Sequence, residues 1–180
     1  LRVGAEKFYE YCEGFGLLKL PSDSSHTPTG ITGIDLSGES GSIWWSRDVF
    51  CKEGSLSQLA AASFGQTFNI TPMQMLSAVS AAVNGGHLVQ PHLVSKKLDA
   101  ENKVIETVST EYKRQVISKT TSDRMRTFLQ FVAENGVKNA LVPGYNVGAK
   151  SGTSQKVSKI LSTGQSNLYI SSCVAIAPIE

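Results

Sequence analysis

Lys150-Ser151-Gly152-Thr153 is the stretch of this sequence whose residue types and spacing could do chemistry. It sets a cation, two hydroxyls and a glycine on consecutive positions of what reads as a β-strand. Side chains alternate along a strand, so Ser151 and Thr153 share a face, while Lys150 projects oppositely unless the strand twists or bends. Two hydroxyls on one face can grip a carboxylate. Gly152 between them removes a side chain and lets a ligand approach the backbone closely. The N–H of Thr153 is then a candidate oxyanion donor. The competing reading is a surface strand that happens to hold Lys, Ser and Thr, a coincidence expected in roughly one chain in two hundred of this length. The tetrapeptide alone does not decide between them.

The elements around it must position these groups. Two strands, over 147–156 and 168–176, close the chain, and the polar link containing Ser162-Thr163-Gly164-Gln165 predicts that they pair antiparallel. Met125, Phe128, Leu129 and Val132 mark an amphipathic helix begun near Thr121 or Ser122 and ended by Asn135-Gly136. Strands over 94–98 and 104–107 read as a short exposed hairpin about Asp99-Ala100-Glu101-Asn102. Thr71-Pro72-Met73-Gln74 is a capping box with Pro at the first helical position. The helix it opens runs through Leu76, Val79 and Val83 to Asn84-Gly85-Gly86, apolar or small on nearly every face, as befits the middle of a domain. At the start, Leu1, Ala5, Phe8, Cys12 and Phe15 recur at helical spacing, with Gly14 and Gly16 as the stop. An irregular stretch over 21–42 follows, for which Trp44-Trp45 reads as a packing anchor. Helices followed by antiparallel strands give an α+β class, an antiparallel β-sheet packed with helices rather than a doubly wound one.

Composition narrows the function classes. The 180 residues are 41% hydrophobic and 18% charged, ordinary for a globular domain, and long enough to bury a substantial core. Seventeen basic and fifteen acidic side chains leave a net charge of +2, which gives no reason to expect nucleic acid or an anionic membrane surface. Cys12, Cys51 and Cys173 are far apart and unpaired by motif, so they read as buried small hydrophobes. His26, His87 and His92 do not cluster with acidic or thiol partners, and no metal or cofactor is expected. No signal peptide and no apolar run of membrane-spanning length is present. The chain opens without Met, with Leu1 already inside a helical pattern, and closes at Ala177-Pro178-Ile179-Glu180 as a strand finishes. It reads as a piece of a longer protein and says nothing about that protein's targeting.

Lys-Ser/Thr-Gly on a strand resembles the third active-site motif of penicillin-binding proteins and serine β-lactamases. The wider chain is similar to class B penicillin-binding proteins, the monofunctional transpeptidases. Thr32-Gly33-Ile34-Asp35-Leu36-Ser37-Gly38-Glu39 resembles their TGIDLPGE segment, and Ser63-Phe64-Gly65-Gln66 with Ile70-Thr71-Pro72-Met73-Gln74-Met75 resembles sFGQ…TPlQ. Asn84-Gly85-Gly86 with Gln90-Pro91-His92 matches NGG…xPh, and 147–155 aligns with vgGKTGTaq. These matches keep the family's order and spacing across nearly the whole chain. Four positions depart from the pattern: Ser151 for Thr, Ala149 for Gly, Ser37 for Pro, and Thr67 for the Gly that often follows the FGQ run. The first of these keeps its hydroxyl; the last is expected to alter its loop's backbone.

The resemblance implies a partial transpeptidase fold and a parent enzyme acting on the D-Ala-D-Ala end of a peptidoglycan stem peptide through a serine acyl-enzyme. No Lys here has Ser three residues before it, and no Asn has Ser two before it, so the family's SxxK and SxN motifs are absent. Residues 1–180 then correspond to the C-terminal portion of a single transpeptidase domain, inactive alone and prone to self-association through its uncovered surfaces. By resemblance Lys150 is the catalytic cation, Ser151, Gly152 and Thr153 bind the substrate or β-lactam carboxylate, and the parent works at the outer face of the cell membrane, held by an anchor outside this chain. Two alternatives stay open: a serine β-lactamase-type hydrolase, and a non-catalytic sensor of β-lactam or cell-wall peptide. Among the remaining polar residues, Gln66 reads as a structural hydrogen-bonding group, Gln155 and Lys156 as solvated strand-end residues, and Asp35 with Glu39 as loop salt-bridge or turn partners rather than an acid–base pair.

Overall fold

The computed structural model describes residues 2–18, 30–155, 162, 164 and 168–179. They form two compact units, Leu1–Lys119 and Thr120–Glu180. In the first, helix α1 (Ala5–Gly14) brings Tyr9 and Cys12 to a core completed by Leu18, Trp44, Phe50 and Leu59, among others. Phe50 ends the short helix α2 (Arg47–Phe50) and is fully buried, with the rings of Tyr9, Phe8 and Trp44 at 5.6, 5.9 and 6.2 Å. Removing a ring of this size from water contributes about 1.5–3 kcal/mol. Trp44 also meets Phe68 at 3.9 Å between ring centroids, so the tryptophan pair has the packing role expected of it. The first helix begins at Ala5, because Gly4 at φ 78 is in a conformation that no helix propagates; Leu1 is outside the described residues.

Helix α3 (Leu56–Ser63) adds Leu59 and Ala62 to this core. Helix α4 (Pro72–Val83) starts on the anticipated capping box. Thr71 Oγ1 accepts the Gln74 N–H at 3.2 Å, and Gln74 Oε1 accepts the Thr71 N–H at 3.0 Å. The same side chain does more. Gln74 Nε2 donates to the Gly30 carbonyl at 2.9 Å and to those of Leu17 and Gly16 at 3.2 and 3.3 Å. Gly30 must be glycine here, since a Cβ would lie 2.8 Å from the Leu17 carbonyl oxygen. The expectation that α4 is enclosed on all sides is corrected: only Gln74 and Ala81 are buried, and Leu76 is 55% exposed. Within this unit β1 (His87–Val89) packs against the helix, and the Met75–Leu76 side faces outward.

Strand β2 (Lys96–Leu98) pairs antiparallel with β3 (Val104–Thr107), the anticipated hairpin in slightly shorter form. β1 pairs antiparallel with β4 (Tyr112–Gln115), a pair not anticipated from the sequence. Its polar residues are tied to carbonyls of the same unit. Lys113 Nζ donates to Thr32 O at 2.5 Å, and Arg114 donates to Glu13 O and Gly14 O at 2.8 and 2.7 Å.

The second unit opens with helix α5 (Lys119–Asn135), after which β5 (Gly148–Gln155) pairs antiparallel with β6 (Tyr169–Ile176), as expected. The helix starts slightly before Thr121 and ends at the anticipated Asn135-Gly136 stop. Lys156 is outside the described residues. Gly148 is where β5 meets α5: a Cβ there would run into Ile179 and lie 3.1 Å from Leu129 Cβ. Val147 and Ala149 on either side of it are buried, so the strand is seated firmly just before the tetrapeptide begins.

Thr67 has a left-handed backbone at φ 73, a conformation that favours glycine. The β-branched residue bears the strain, about 1–2 kcal/mol for such a conformation. Thr67→Gly is expected to raise stability by about 0.5–1 kcal/mol after the added freedom of the unfolded glycine is deducted. Gln74→Ala is expected to lower it by about 2–4 kcal/mol, from a lost cap and a buried carbonyl left unpaired. Urea midpoints at constant m-value read both. Equal midpoints for Gln74→Ala and wild type would remove Gln74 from its place in the fold.

Candidate functional site

Strand β5 carries the tetrapeptide, and its register with β6 fixes how each residue is presented. Lys150, Ser151, Gly152 and Thr153 stand opposite Val174, Cys173, Ser172 and Ser171. Residues directly opposite each other lie on one face of the pair. One face therefore carries Ser151 and Thr153 with Cys173 and Ser171, and the other carries Lys150 with Val174 and Ser172. All four residues of the tetrapeptide are exposed.

The backbone has a direction too. Ser172 Oγ donates to the Gly152 carbonyl oxygen at 3.4 Å, so that carbonyl points toward β6. Main-chain groups alternate between the two edges of a strand. It follows that the Ser151 carbonyl and the Thr153 N–H point to the other edge of β5, which no described strand covers. Lys150 Nζ donates to the Ser151 carbonyl at 2.6 Å. Although Lys150 starts from the face opposite Ser151, its ammonium curls to the same open edge as the Thr153 N–H. The open edge thus combines a cation with a free amide donor, and the adjoining face offers two hydroxyls. Such a set has the chemistry to bind a carboxylate and to polarise a carbonyl lodged against the strand.

The other candidates from the sequence have structural partners. Asp35 accepts the N–H groups of Leu93 and Val94 at 2.7 and 2.9 Å. Glu39 accepts the N–H and hydroxyl of Thr32 at 2.7 and 2.6 Å and the Gly33 N–H at 2.8 Å. They are turn and loop acceptors, as expected, and face different partners. The two amides at Asp35 hold its carboxyl below the ordinary range. At Glu39 burial pushes upward, but the Thr32 hydroxyl and the amides of Thr32 and Gly33 outweigh it, and the net shift is downward. Gln66 contributes its backbone N–H to Ala61 O, and its side chain makes no hydrogen bond among the described residues, contrary to the role expected of it. It is partly exposed, where solvent can satisfy its amide.

The cysteines need one correction. Cys12 is buried, which pushes its thiol up to about 12, and Cys51 is half-buried and pushed up to about 11 by the same cause. Cys173 is exposed and stands opposite Ser151 on β6. Among the described residues no group of three or more His, Cys, Asp or Glu could hold a metal ion. Sequence reasoning placed nothing on β6 beside the tetrapeptide. The signal it lacked was register: an antiparallel pair was legible, but which residue of β6 faces Gly152 was not.

This α+β arrangement, with a Lys-Ser-Gly-Thr edge strand, defines the transpeptidase class that the motifs resemble. The family model for the penicillin binding protein transpeptidase domain matches residues 1–180, and the chain belongs to that family. It is 38% identical, over 99% of its length, to Stage V sporulation protein D of Bacillus subtilis. Among solved structures it is similar to penicillin binding protein 3 of Mycobacterium tuberculosis complexed with aztreonam, with a TM-score of 0.76 and 25% identity, covering 99% of this chain and 38% of that one. It also resembles the D,D-transpeptidase domain of a peptidoglycan glycosyltransferase from Eggerthella lenta, at a TM-score of 0.71 and 25% identity, covering 98% of this chain and 40% of that one. The chain spans 25% of the length of the Bacillus relative.

Because both carboxyls titrate lower folded than unfolded, their contribution is full above the ordinary carboxylate range, near pH ~4, and is lost as pH falls through the lowered values. Amide exchange at Leu93 and Val94, corrected for its intrinsic pH dependence, is therefore expected to accelerate in acid. Asp35→Asn should produce that acceleration at neutral pH, since an amide NH2 cannot accept the second bond. Unchanged protection in Asp35→Asn would contradict the clamp.

Proposed function

We propose that this chain is the C-terminal part of a peptidoglycan D,D-transpeptidase domain, with Lys150, Ser151, Gly152 and Thr153 forming one wall of its active site. The observation that carries the reading is the open edge of β5, where the Lys150 ammonium and the Thr153 N–H stand together beside the Ser151 and Thr153 hydroxyls. Membership of the penicillin-binding protein family over the whole chain supports it.

In this reading a serine outside the chain attacks the carbonyl between the two terminal D-Ala residues of a stem peptide. The Ser Oγ–C bond forms, the C–N bond breaks, and D-Ala leaves with a proton. An amine of a neighbouring stem then attacks the ester and forms the cross-link as the Ser Oγ–C bond breaks, and one of the amine's own protons passes to the serine. Lys150 supplies positive potential and supports these proton transfers. Ser151 and Thr153 hold the terminal carboxylate, and the Thr153 N–H receives the developing oxyanion with the nucleophile's own amide. A β-lactam follows the first half: its ring amide opens onto the serine and the leaving nitrogen stays attached, so the ester persists. No described helix is long and apolar enough to cross a membrane. We place the parent at the outer face of the cell membrane, where its substrate lies, through an anchor outside this chain.

Lys150→Ala in the full-length protein is expected to slow acylation by benzylpenicillin on the order of 10²-fold or more, read by intact mass against time. Wild-type kinetics in that variant would sink the assignment. The chain expressed alone is expected to form no adduct and to self-associate, through the open edge of β5 and exposed apolar residues such as Phe64, Phe128 and Phe131. A monodisperse monomer in light scattering would count against the second part.

A further inference from the structure

Gly152 reads from sequence as an opening for a ligand, yet the structure fills the space beside it from the other strand. A Cβ at Gly152 would lie 2.9 Å from Ser172 Oγ, and that hydroxyl donates to the Gly152 carbonyl oxygen at 3.4 Å. The carbonyl belongs to the same peptide unit as the Thr153 N–H. That N–H points to the open edge of β5, opposite the carbonyl. A hydrogen bond to the oxygen end of a peptide unit increases the partial positive charge at its N–H end and fixes the plane in which it points. We propose that Ser172 is a positioning residue: its hydroxyl holds and polarises the Gly152–Thr153 peptide so that the Thr153 N–H is aimed and strengthened as an oxyanion donor. This rests on the functional reading above, which assigns that N–H to the oxyanion. Ser172 itself touches no reacting atom, because it stands on the face opposite Ser151 and Thr153 and on the strand behind β5.

The size of the effect can be bounded. Losing a whole oxyanion donor slows reaction about 10²–10³-fold, and one hydrogen bond strengthens its neighbour by about 10–30%. Taking that fraction of the free energy gives a loss of about 2- to 8-fold in the acylation step. Because the carboxylate is held by other groups, the cost falls on acylation and not on the initial binding of drug.

The test uses the full-length protein and benzylpenicillin, separating the acylation rate from the dissociation constant by stopped flow. In Ser172→Ala the acylation rate is expected to fall about 2- to 8-fold with the dissociation constant unchanged. The infrared carbonyl band of the acyl-enzyme is expected to move to higher frequency, as a less polarised ester requires. Ser172→Thr, which keeps the hydroxyl, should restore both. An unshifted band and wild-type rate in Ser172→Ala would overturn the inference while leaving the transpeptidase reading intact, as would Thr and Ala variants that behave alike. A wild-type protein that forms no adduct would overturn the reading itself and this inference with it.

Discussion

Antiparallel pairing of β5 with β6 consumes one edge of the strand that bears Lys150, Ser151, Gly152 and Thr153, and the presentation of the site derives from that use. Once the Gly152 carbonyl is turned toward β6 by the register, the Ser151 carbonyl and Thr153 N–H have only the other edge to face. The Lys150 ammonium then finds its acceptor on that edge. A strand paired on both sides would have no free amide to offer, and an unpaired strand would not fix one in place. The one-sided pair does both. Its footing is the contact of Gly148 with Leu129 and Ile179, which sets the start of β5 against α5 in a space that admits no side chain.

The first unit relies on a different device. One glutamine, Gln74, closes the capping box of α4 and ties three carbonyls from two other segments to it. Around it the charged residues serve as fasteners. Arg47 lies over the Tyr9 ring at 5.5 Å and reaches Glu6 and Glu13, while Lys113 and Arg114 bind carbonyls. Asp35 and Glu39 complete the pattern, since each is occupied by main-chain amides. Acidic residues so engaged are poorly suited to exchange protons with a substrate.

The elements legible in the sequence were those with a local signature. The capping box at Thr71, the stop at Asn135-Gly136, the 99–102 turn and the closing strand pair were all written in a few adjacent residues. The pair β1–β4 was not, because its three- and four-residue strands are too short for a period to show, and Lys113 and Arg114 make β4 look solvated when they are engaged with carbonyls. The Met75–Leu76 side of α4 misled in the opposite sense, since apolar side chains announce that they can be buried and not what covers them. At the site, the residue types and the shared face of Ser151 and Thr153 were legible. The turn of Lys150 to the open edge and the approach of Ser172 to Gly152 were not, as both depend on a register between strands far apart in sequence.

On the proposed reading, the open edge of β5 forms the wall that holds substrate. A crystal structure of the full-length protein acylated by benzylpenicillin tests it most directly. The drug's carboxylate is expected within hydrogen-bonding distance of the Ser151 and Thr153 hydroxyls, with the ester oxygen on the Thr153 N–H. An adduct whose carboxylate and ester oxygen are held by other residues, with β5 unoccupied, would contradict it.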